Sequence, residues 1–275
     1  MGALSGRAVP HRVSGRRSVG WRVEEVTTSA SSLLAPWPPP QNQGDAIVRT
    51  GRVRGREALV LGSTQDATQI DEDRAARAGV DILRRSTGGG AVLVATDAQV
   101  WLDIWVPRGH DLWDDDIIAA ASWVGDAWAE ALGTLGADGL RVHRGPMIRT
   151  AWSDRVCFAG FGPGEVSVVD RPRPAVGSDA TGPKVMGLAQ RRTRAGARFH
   201  TSALLSWDPE TMLALFKVDA TAVLLDEHAS DIGGPLMALQ KAAVGLRVVV
   251  PGGSVEQSAS ALIDSVEQAV ITALP

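Results

Sequence analysis

Three consecutive glycines, Gly88, Gly89 and Gly90, stand between two short aliphatic runs, and this feature constrains the fold more tightly than any other. Residues 80–84 read as one strand and 91–95 as the next, with a glycine turn over 87–90 between them. Without Cβ atoms, such a turn lets the backbone approach a ligand closely and point N–H groups at an anion. Arg84 and Arg85, just before the turn, are of the type that makes charge-assisted bonds to carboxylate or phosphate. The spacing is neither a Walker A loop nor a dinucleotide fingerprint, and no helix follows. The residues alone leave two readings open: an anion-cradling loop, or a glycine-rich hairpin turn with solvated arginines.

The remainder of the chain surrounds this block with strands and a few helices. Strand-like runs lie at 46–49 and 58–62, and 71–78 reads as a helix stopped by Gly79. Residues 100–106 alternate, with Val100, Leu102, Ile104 and Val106 on one face and Trp101, Asp103 and Trp105 on the other. Residues 114–135 form a long helix in which Ile117, Ala121, Val124, Trp128 and Leu132 recur at helical spacing. Its Asp114-Asp115-Asp116 start reads as helix capping and charge rather than a metal site. Further strands are expected at 155–161, 165–169, 184–190 and 246–250. Asp208 with Pro209 starts a helix through 216, and Ser254 with Gln257 reads as a capping box for a last helix to Leu274. Residues 171–183, rich in Pro, Gly and Ala, read as an excursion between two strands. Strands in consecutive runs argue for an α+β fold with much antiparallel pairing, in one domain over 23–275. Residues 1–22 carry Arg7, Arg12, Arg16, Arg17 and Arg22 with no acid, and read as a disordered basic extension rather than a transit peptide.

Composition narrows the function classes. A net charge of -3 gives no reason to expect nucleic acid as the main partner. At 44% hydrophobic and 21% charged, the chain can bury a sizeable core, and no run approaches the roughly 18 apolar residues of a membrane span. Cys157 is the only cysteine, which excludes a disulfide framework and a thiolate zinc cluster and suits a reducing, cytoplasmic setting. His11, His110, His143, His200 and His228 show no metal-ligand spacing. Trp101, Trp105, Trp123 and Trp128 read as core.

Of the 28 basic residues only Lys184, Lys217 and Lys241 are lysines, so a lysine here is more informative than usual. Lys184 opens a strand after the 171–183 excursion, where it is either surface charge or a cation that neutralises a phosphate or acyl carboxylate. Arg191, Arg192, Arg194 and Arg198 form either a basic rim or a solvated face. Cys157, in an apolar run, is either packing or a nucleophile.

Together, Arg84-Arg85-Ser86-Thr87-Gly88-Gly89-Gly90-Ala91-Val92 and Lys184-Val185-Met186-Gly187-Leu188-Ala189 resemble the lipoate–protein ligase A family. Leu61-Gly62-Ser63-Thr64-Gln65 is similar to that family's Gly-x-x-Gln stretch, and the resemblance covers roughly residues 45–250. It implies a biotinyl/lipoyl protein ligase-like, class II synthetase-like α+β fold with a mixed, mainly antiparallel sheet packed by helices. It also implies ATP- and Mg2+-dependent activation of lipoate or octanoate and transfer to a lysine of a lipoyl domain. The acceptors would be 2-oxoacid dehydrogenase E2 subunits or the glycine cleavage H protein. On that likeness Lys184 would face the carboxyl–phosphate junction. Arg84, Arg85, Ser86, Thr87, Gly88, Gly89, Gly90, Ala91, Gly187 and Ala189 would line the substrate site.

The sequence also departs from the family's pattern, and no clear counterpart of the Asn-Asp pair that often precedes the family's lysine is present. Val94 and Ala95 stand where the family places a His and an Asp. His200, in Phe199-His200-Thr201-Ser202, is one residue off the family's second His-Gly pair, a shift that on a strand turns the side chain to the opposite face. Cys157-Phe158 in turn resembles the nucleophile context of cysteine-dependent octanoyltransferases. Those enzymes share the scaffold, use no cofactor and take the acyl group from acyl carrier protein. A third possibility is a degenerate protein that binds an acyl or adenylate ligand without turnover.

Overall fold

The computed structural model describes residues 7–8, 20–38, 42–169, 182–217, 234–252 and 257–275. The expected 1–22 extension lies largely outside these residues, as do Ser254 and most of the 171–183 excursion. Trp21 is already buried in the core, and Arg22 opens a strand.

Two sheets make up the fold. The larger contains β1 (Arg7–Ala8), β2 (Arg22–Thr28), β3 (Ile47–Val53), β7 (Gln99–Pro107), β8 (Leu140–Val142), β9 (Val166–Val168), β10 (Lys184–Arg192) and β11 (Gly196–Leu204), in spatial order β1-β2-β3-β7-β11-β10-β9-β8. The smaller contains β4 (Ala58–Leu61), β5 (Asp81–Arg84) and β6 (Val92–Val94), in order β5-β4-β6. Pairing is antiparallel except for β2 with β3 and β4 with β5. The helices are α1 (Ala30–Leu33), α2 (Glu72–Ala78), α3 (Ile117–Thr134), α4 (Pro209–Ala214), α5 (Pro235–Ala242), α6 (Leu246–Val249) and α7 (Ala259–Ala273).

The alternation in β7 decides how the layers stack. Val100, Leu102, Ile104 and Val106 pack against Val124, Trp128 and Leu132 of α3 and Ile263, Val266 and Val270 of α7. The other face is equally buried. Trp101 packs with Val60, Val92 and Val94 of the small sheet, and Trp105 with Trp37 and Ile47. Asp103, fully buried on that second face, is compensated by long-range partners. Arg198 donates to it through Nε at 3.1 Å and through an Nη at 3.0 Å, and Arg49 donates through Nε at 3.2 Å. His200 Nδ1 lies 2.6 Å from its Oδ1.

Local signals account well for the other elements. Asp71 caps α2 by accepting from Arg74 N, and Gly79 ends it in the left-handed region at φ 73°. Asp116 caps α3 by accepting from Ile118 and Ala119 N–H groups, as the acidic run suggested. Three expectations need correction. Residues 155–161 are not a strand but a turn with a 3-10 segment over Cys157–Ala159, flanked by single bridges from Ala91 to Val156 and from Ile148 to Phe161. Gly160 allows this tight path, since a Cβ there would lie 2.6 Å from Ser153 Cβ. Residues 246–250 are helical rather than extended: Leu246 and Val250 are buried one turn apart while Val248 is 78% exposed. The last helix is capped not near Ser254 but at Ser258, which accepts from Ala261 N.

Glycines let the loops around the small sheet pack closely on one another and on the 155–157 turn. A Cβ on Gly62 would overlap the Gly89 carbonyl oxygen, and one on Gly90 would lie 2.6 Å from the Val156 backbone. Gly88 has nothing within 4 Å of its missing Cβ. Ala at Gly62 or Gly90 should therefore lower stability by about 1–3 kcal/mol in urea unfolding, with Gly88→Ala near neutral as the control.

Asp103→Asn should cost about 3–5 kcal/mol by the same measurement, because Arg49 and Arg198 would lose their buried counter-charge. Burial disfavours the Asp103 carboxylate, but His200, Arg198 and Arg49 outweigh it and hold the pKa well below the usual range. Burial lowers the His200 pKa more than Asp103 raises it. Both groups bind protons less readily folded than unfolded, so stability is full above the ordinary imidazole range and falls on acidification. The loss of Tm between about pH 7.5 and 5.5 should be smaller in His200→Gln than in the wild type.

Candidate active site

The glycine turn between β5 and β6 is shaped by the two arginines that precede it. Arg84 donates to the carbonyls of Gly62 and Gln65 at 2.6 and 2.8 Å. Arg85, 4% exposed, donates to Thr87 Oγ1 and to the carbonyls of Val60, Gly88 and Gly90. These bonds hold the turn open around Gly89, whose φ is 95°. Gln65 adds a second brace, accepting from Gly62 N–H and donating to Arg155 O. Both arginines thus build the loop, using donors that the sequence reading directed at a ligand anion.

The end of the turn leads straight to the cysteine. Ala91 N–H donates to Arg155 O at 2.7 Å, and Cys157 N–H donates to Ala91 O at 2.9 Å. Cys157 is partly buried and its thiol is free. Its carbonyl accepts from Lys184 Nζ at 2.8 Å. Lys184 is 1% exposed, far from the surface-charge reading, and its ammonium pairs with Glu165 Oε2 at 2.6 Å. Phe158 and Phe161 place their rings 5.7 and 5.2 Å from the same nitrogen. Glu165 is itself satisfied, accepting from Gly162 N–H at 2.6 Å and Leu188 N–H at 3.0 Å.

The β10 candidates lie beside this pair. A Cβ on Gly187 would stand 3.6 Å from Glu165 and 3.7 Å from Phe158. Ala189 lies opposite His200 in the β10–β11 register, and Arg191 donates to Ser86 O at 3.0 Å. The structure therefore brings together Ser86, the 88–91 turn, Cys157, Lys184, Gly187 and Arg191. His200, expected to turn away, instead shares the Asp103 face, and the charge of Arg85 helps lower its pKa. His200 Nε2 is buried without a hydrogen-bond partner among the described residues. Ser202 Oγ is likewise buried without a partner. Val94 fills the expected histidine position with apolar packing against the Trp101 cluster.

Sequence reasoning missed Glu165 and Asp103 as partners. Each is an acid inside or beside an apolar strand, a costly placement that itself signals a buried cation opposite. Among the described residues no cluster of three or more His, Cys, Asp or Glu is arranged to hold a metal ion, and no helix is long and apolar enough to cross a membrane. A cavity of about 350 Å3 opens along β6 and reaches Val156 and Phe158, the neighbours of Cys157.

Comparison with known proteins bears on the family and the fold. The octanoyltransferase LipM of Clostridioides difficile (strain 630) is 26% identical over 149 residues, 54% of this chain, and the match spans about 50% of that enzyme. The bipartite lipoate protein ligase of Thermoplasma acidophilum, studied with its E2 lipoyl domain, shares the fold at a TM-score of 0.56 and 22% identity, over 83% of this chain and 69% of its own. A lipoate-protein ligase A bound with ATP aligns at a TM-score of 0.53 and 19% identity, over 83% and 71% of the two chains. Residues 46–243 match the family model described as the lipoyl protein ligase A/B catalytic domain, and the chain belongs to that family.

Proposed function

We propose that this chain transfers an octanoyl group through Cys157 to a lysine of a lipoyl domain. The observation that carries the reading is the position of Cys157: its backbone is bonded to the glycine turn at Ala91 on one side and to Lys184 on the other. The similarity to an octanoyltransferase supports it. An ATP-dependent ligase would instead use Lys184 and Arg85 as cations for a phosphoryl junction. Here Lys184 is paired with Glu165, and Arg85 donates to loop carbonyls. The one observation favouring the ligase is the open space at Gly88, where backbone N–H groups suit an anion. In that alternative ATP and Mg2+ are required and Cys157 is dispensable.

The transfer has two steps. The Cys157 thiolate attacks the thioester carbonyl of octanoyl-carrier protein, a C–S bond forms, and the carrier thiolate leaves and takes a proton. Backbone N–H groups of the 88–90 turn would stabilise the oxyanion. The acceptor lysine, deprotonated to the neutral amine, then attacks the Cys157 thioester; the C–N bond forms, the C–S bond breaks, and the proton shed by the nitrogen goes to the leaving Cys157 thiolate or to water. Lys184 and Glu165 fix the Cys157 peptide throughout and form no bond to the acyl group.

Cys157→Ala should abolish transfer from octanoyl-carrier protein to a lipoyl domain while costing on the order of 1 kcal/mol in stability. Wild-type-like turnover by a folded Cys157→Ala, with pyrophosphate released from ATP and octanoate or lipoate, would establish the ligase in its place. Lys184→Arg should fail to restore activity, since a planar guanidinium does not fit the site enclosed by Glu165, the Cys157 carbonyl, Phe158 and Phe161. Steady-state rates at matched folded fraction check it; full turnover by the Arg variant would reduce Lys184 to generic charge.

A further inference from the structure

Amide formation needs a base, because a lysine arrives as an ammonium and only the neutral amine is a nucleophile. The acids around the site are already committed. Glu165 pairs with Lys184, and Asp103 is shared by Arg49 and Arg198. His200 is different: it is 6% exposed, and its Nε2 has no hydrogen-bond partner among the described residues. Ser202 Oγ, two residues on along the same face of β11, is unpartnered as well. Two orphaned polar atoms on one strand face form a costly arrangement that a polar visitor would relieve.

The surroundings fix which nitrogen can act. His200 Nδ1 lies 2.6 Å from Asp103 Oδ1, and Arg198 and Arg49 help hold that carboxylate ionised, so the ring proton sits on Nδ1. Nε2 is then a bare lone pair on a ring oriented by a carboxylate. Burial, with the charges of Arg198 and Arg85, lowers the His200 pKa against the pull of Asp103, so the imidazole is neutral at pH 7. Arg85 belongs to the glycine turn, and His200 lies near it. Trp101 meets the imidazole edge-on at 5.9 Å, and Cys157 packs against the apolar cluster that contains Trp101. On β10, Ala189 stands opposite His200 and Gly187 opposite Ser202, so neither puts a long side chain beside the two polar atoms. Phe158, the neighbour of Cys157, lies over Gly187.

We infer that His200 is the catalytic base of the amide-forming step, taking a proton from the acceptor ammonium on Nε2 while Asp103 holds Nδ1. The neutral amine then attacks the Cys157 thioester. The C–N bond forms, the C–S bond breaks, the second proton of the nitrogen goes to the leaving thiolate or to water, and His200 returns its proton to water. Entry into a buried setting strips water from the ammonium, which lowers its pKa and favours the transfer. The inference rests on the reading that the acceptor is a lysine amine. It applies equally to an acyl-adenylate, where AMP leaves in place of the thiolate.

The test is the pH dependence of single-turnover octanoyl-lysine formation on a lipoyl domain, from isolated acyl-enzyme, in the wild type and in His200→Asn. Asn keeps an N–H for Asp103 and removes the Nε2 lone pair. The wild-type rate should be level above the ordinary imidazole range, about pH 6.5. The variant should be slower by about 100-fold or more at pH 7. Its rate should climb about tenfold per pH unit toward the lysine pKa of about 10.4, as the amine ionises unaided. The charged groups around the ring are Asp103, held low, and Arg49, Arg85 and Arg198, and none of them titrates between pH 7 and 10. Hydroxylamine, a nucleophile already neutral at pH 7, should discharge both acyl-enzymes at similar rates. Equal losses with both nucleophiles, or parallel pH profiles, overturn the inference. If Cys157 is never acylated but octanoyl-lysine forms from octanoate, ATP and Mg2+, the transferase reading fails, and the same two profiles decide the role of His200 on that reaction.

Discussion

A single buried ion pair, Lys184 with Glu165, joins the pieces from which the site is built. Lys184 is the first residue of β10, and Glu165 immediately precedes β9. The ammonium reaches the Cys157 carbonyl, and the carboxylate caps the Gly162 and Leu188 N–H groups. One pair therefore fixes the relative positions of two strands, the 157–162 turn and, through Ala91, the glycine loop. Taking both charges out of water is costly, and the geometry offsets that cost with hydrogen bonds on both partners. Removing either partner would strand the other in a site with almost no solvent access.

The Asp103 cluster plays a parallel part under the large sheet. Two guanidinium groups surround one carboxylate, and Trp37 lies over both, with ring centroids 4.6 Å from Arg49 and 5.6 Å from Arg198. The carbonyl of Leu33 takes a further Arg49 donor at 3.1 Å. This binds the α1 region to β3, β7 and β11, on the sheet face that also carries His200. The Cys157 thiol, the nucleophile proposed here, thus sits in a protein fixed by buried charge as well as by apolar packing, which would suit a site that holds geometry while an acyl group enters and leaves.

What could be read from the sequence was local. The β5–turn–β6 unit, α2 between Asp71 and Gly79, and the α3 stripe are set by residues a few positions apart. The identity of the glycine turn and the Lys184 segment followed from motifs for the same reason. The partners of Asp103 lie 54 and 95 residues away in sequence, so no periodicity could pair them. β11 escaped notice because Arg198 and His200 made a buried strand look polar. The 246–250 run misled because its β-branched residues favour strands, whereas the fold buries Leu246 and Val250 at helical spacing and leaves Val248 in solvent. Tertiary context overrode propensity there. The rarity of lysine singled out Lys184, but its partner, Glu165, appears only when the strands are assembled.

The central claim is that the acyl group passes through Cys157 on its way to the acceptor. It is tested most directly by a single-turnover experiment with the isolated acyl-enzyme. Enzyme loaded with octanoyl-carrier protein, freed of donor and mixed with a lipoyl domain, is quenched over time and followed by peptide mass spectrometry. The account predicts octanoyl on the Cys157 peptide alone, disappearing at the rate at which octanoyl-lysine appears on the lipoyl domain. Acyl-lysine formed with no Cys157 adduct, or an adduct that persists while product accumulates, would contradict it.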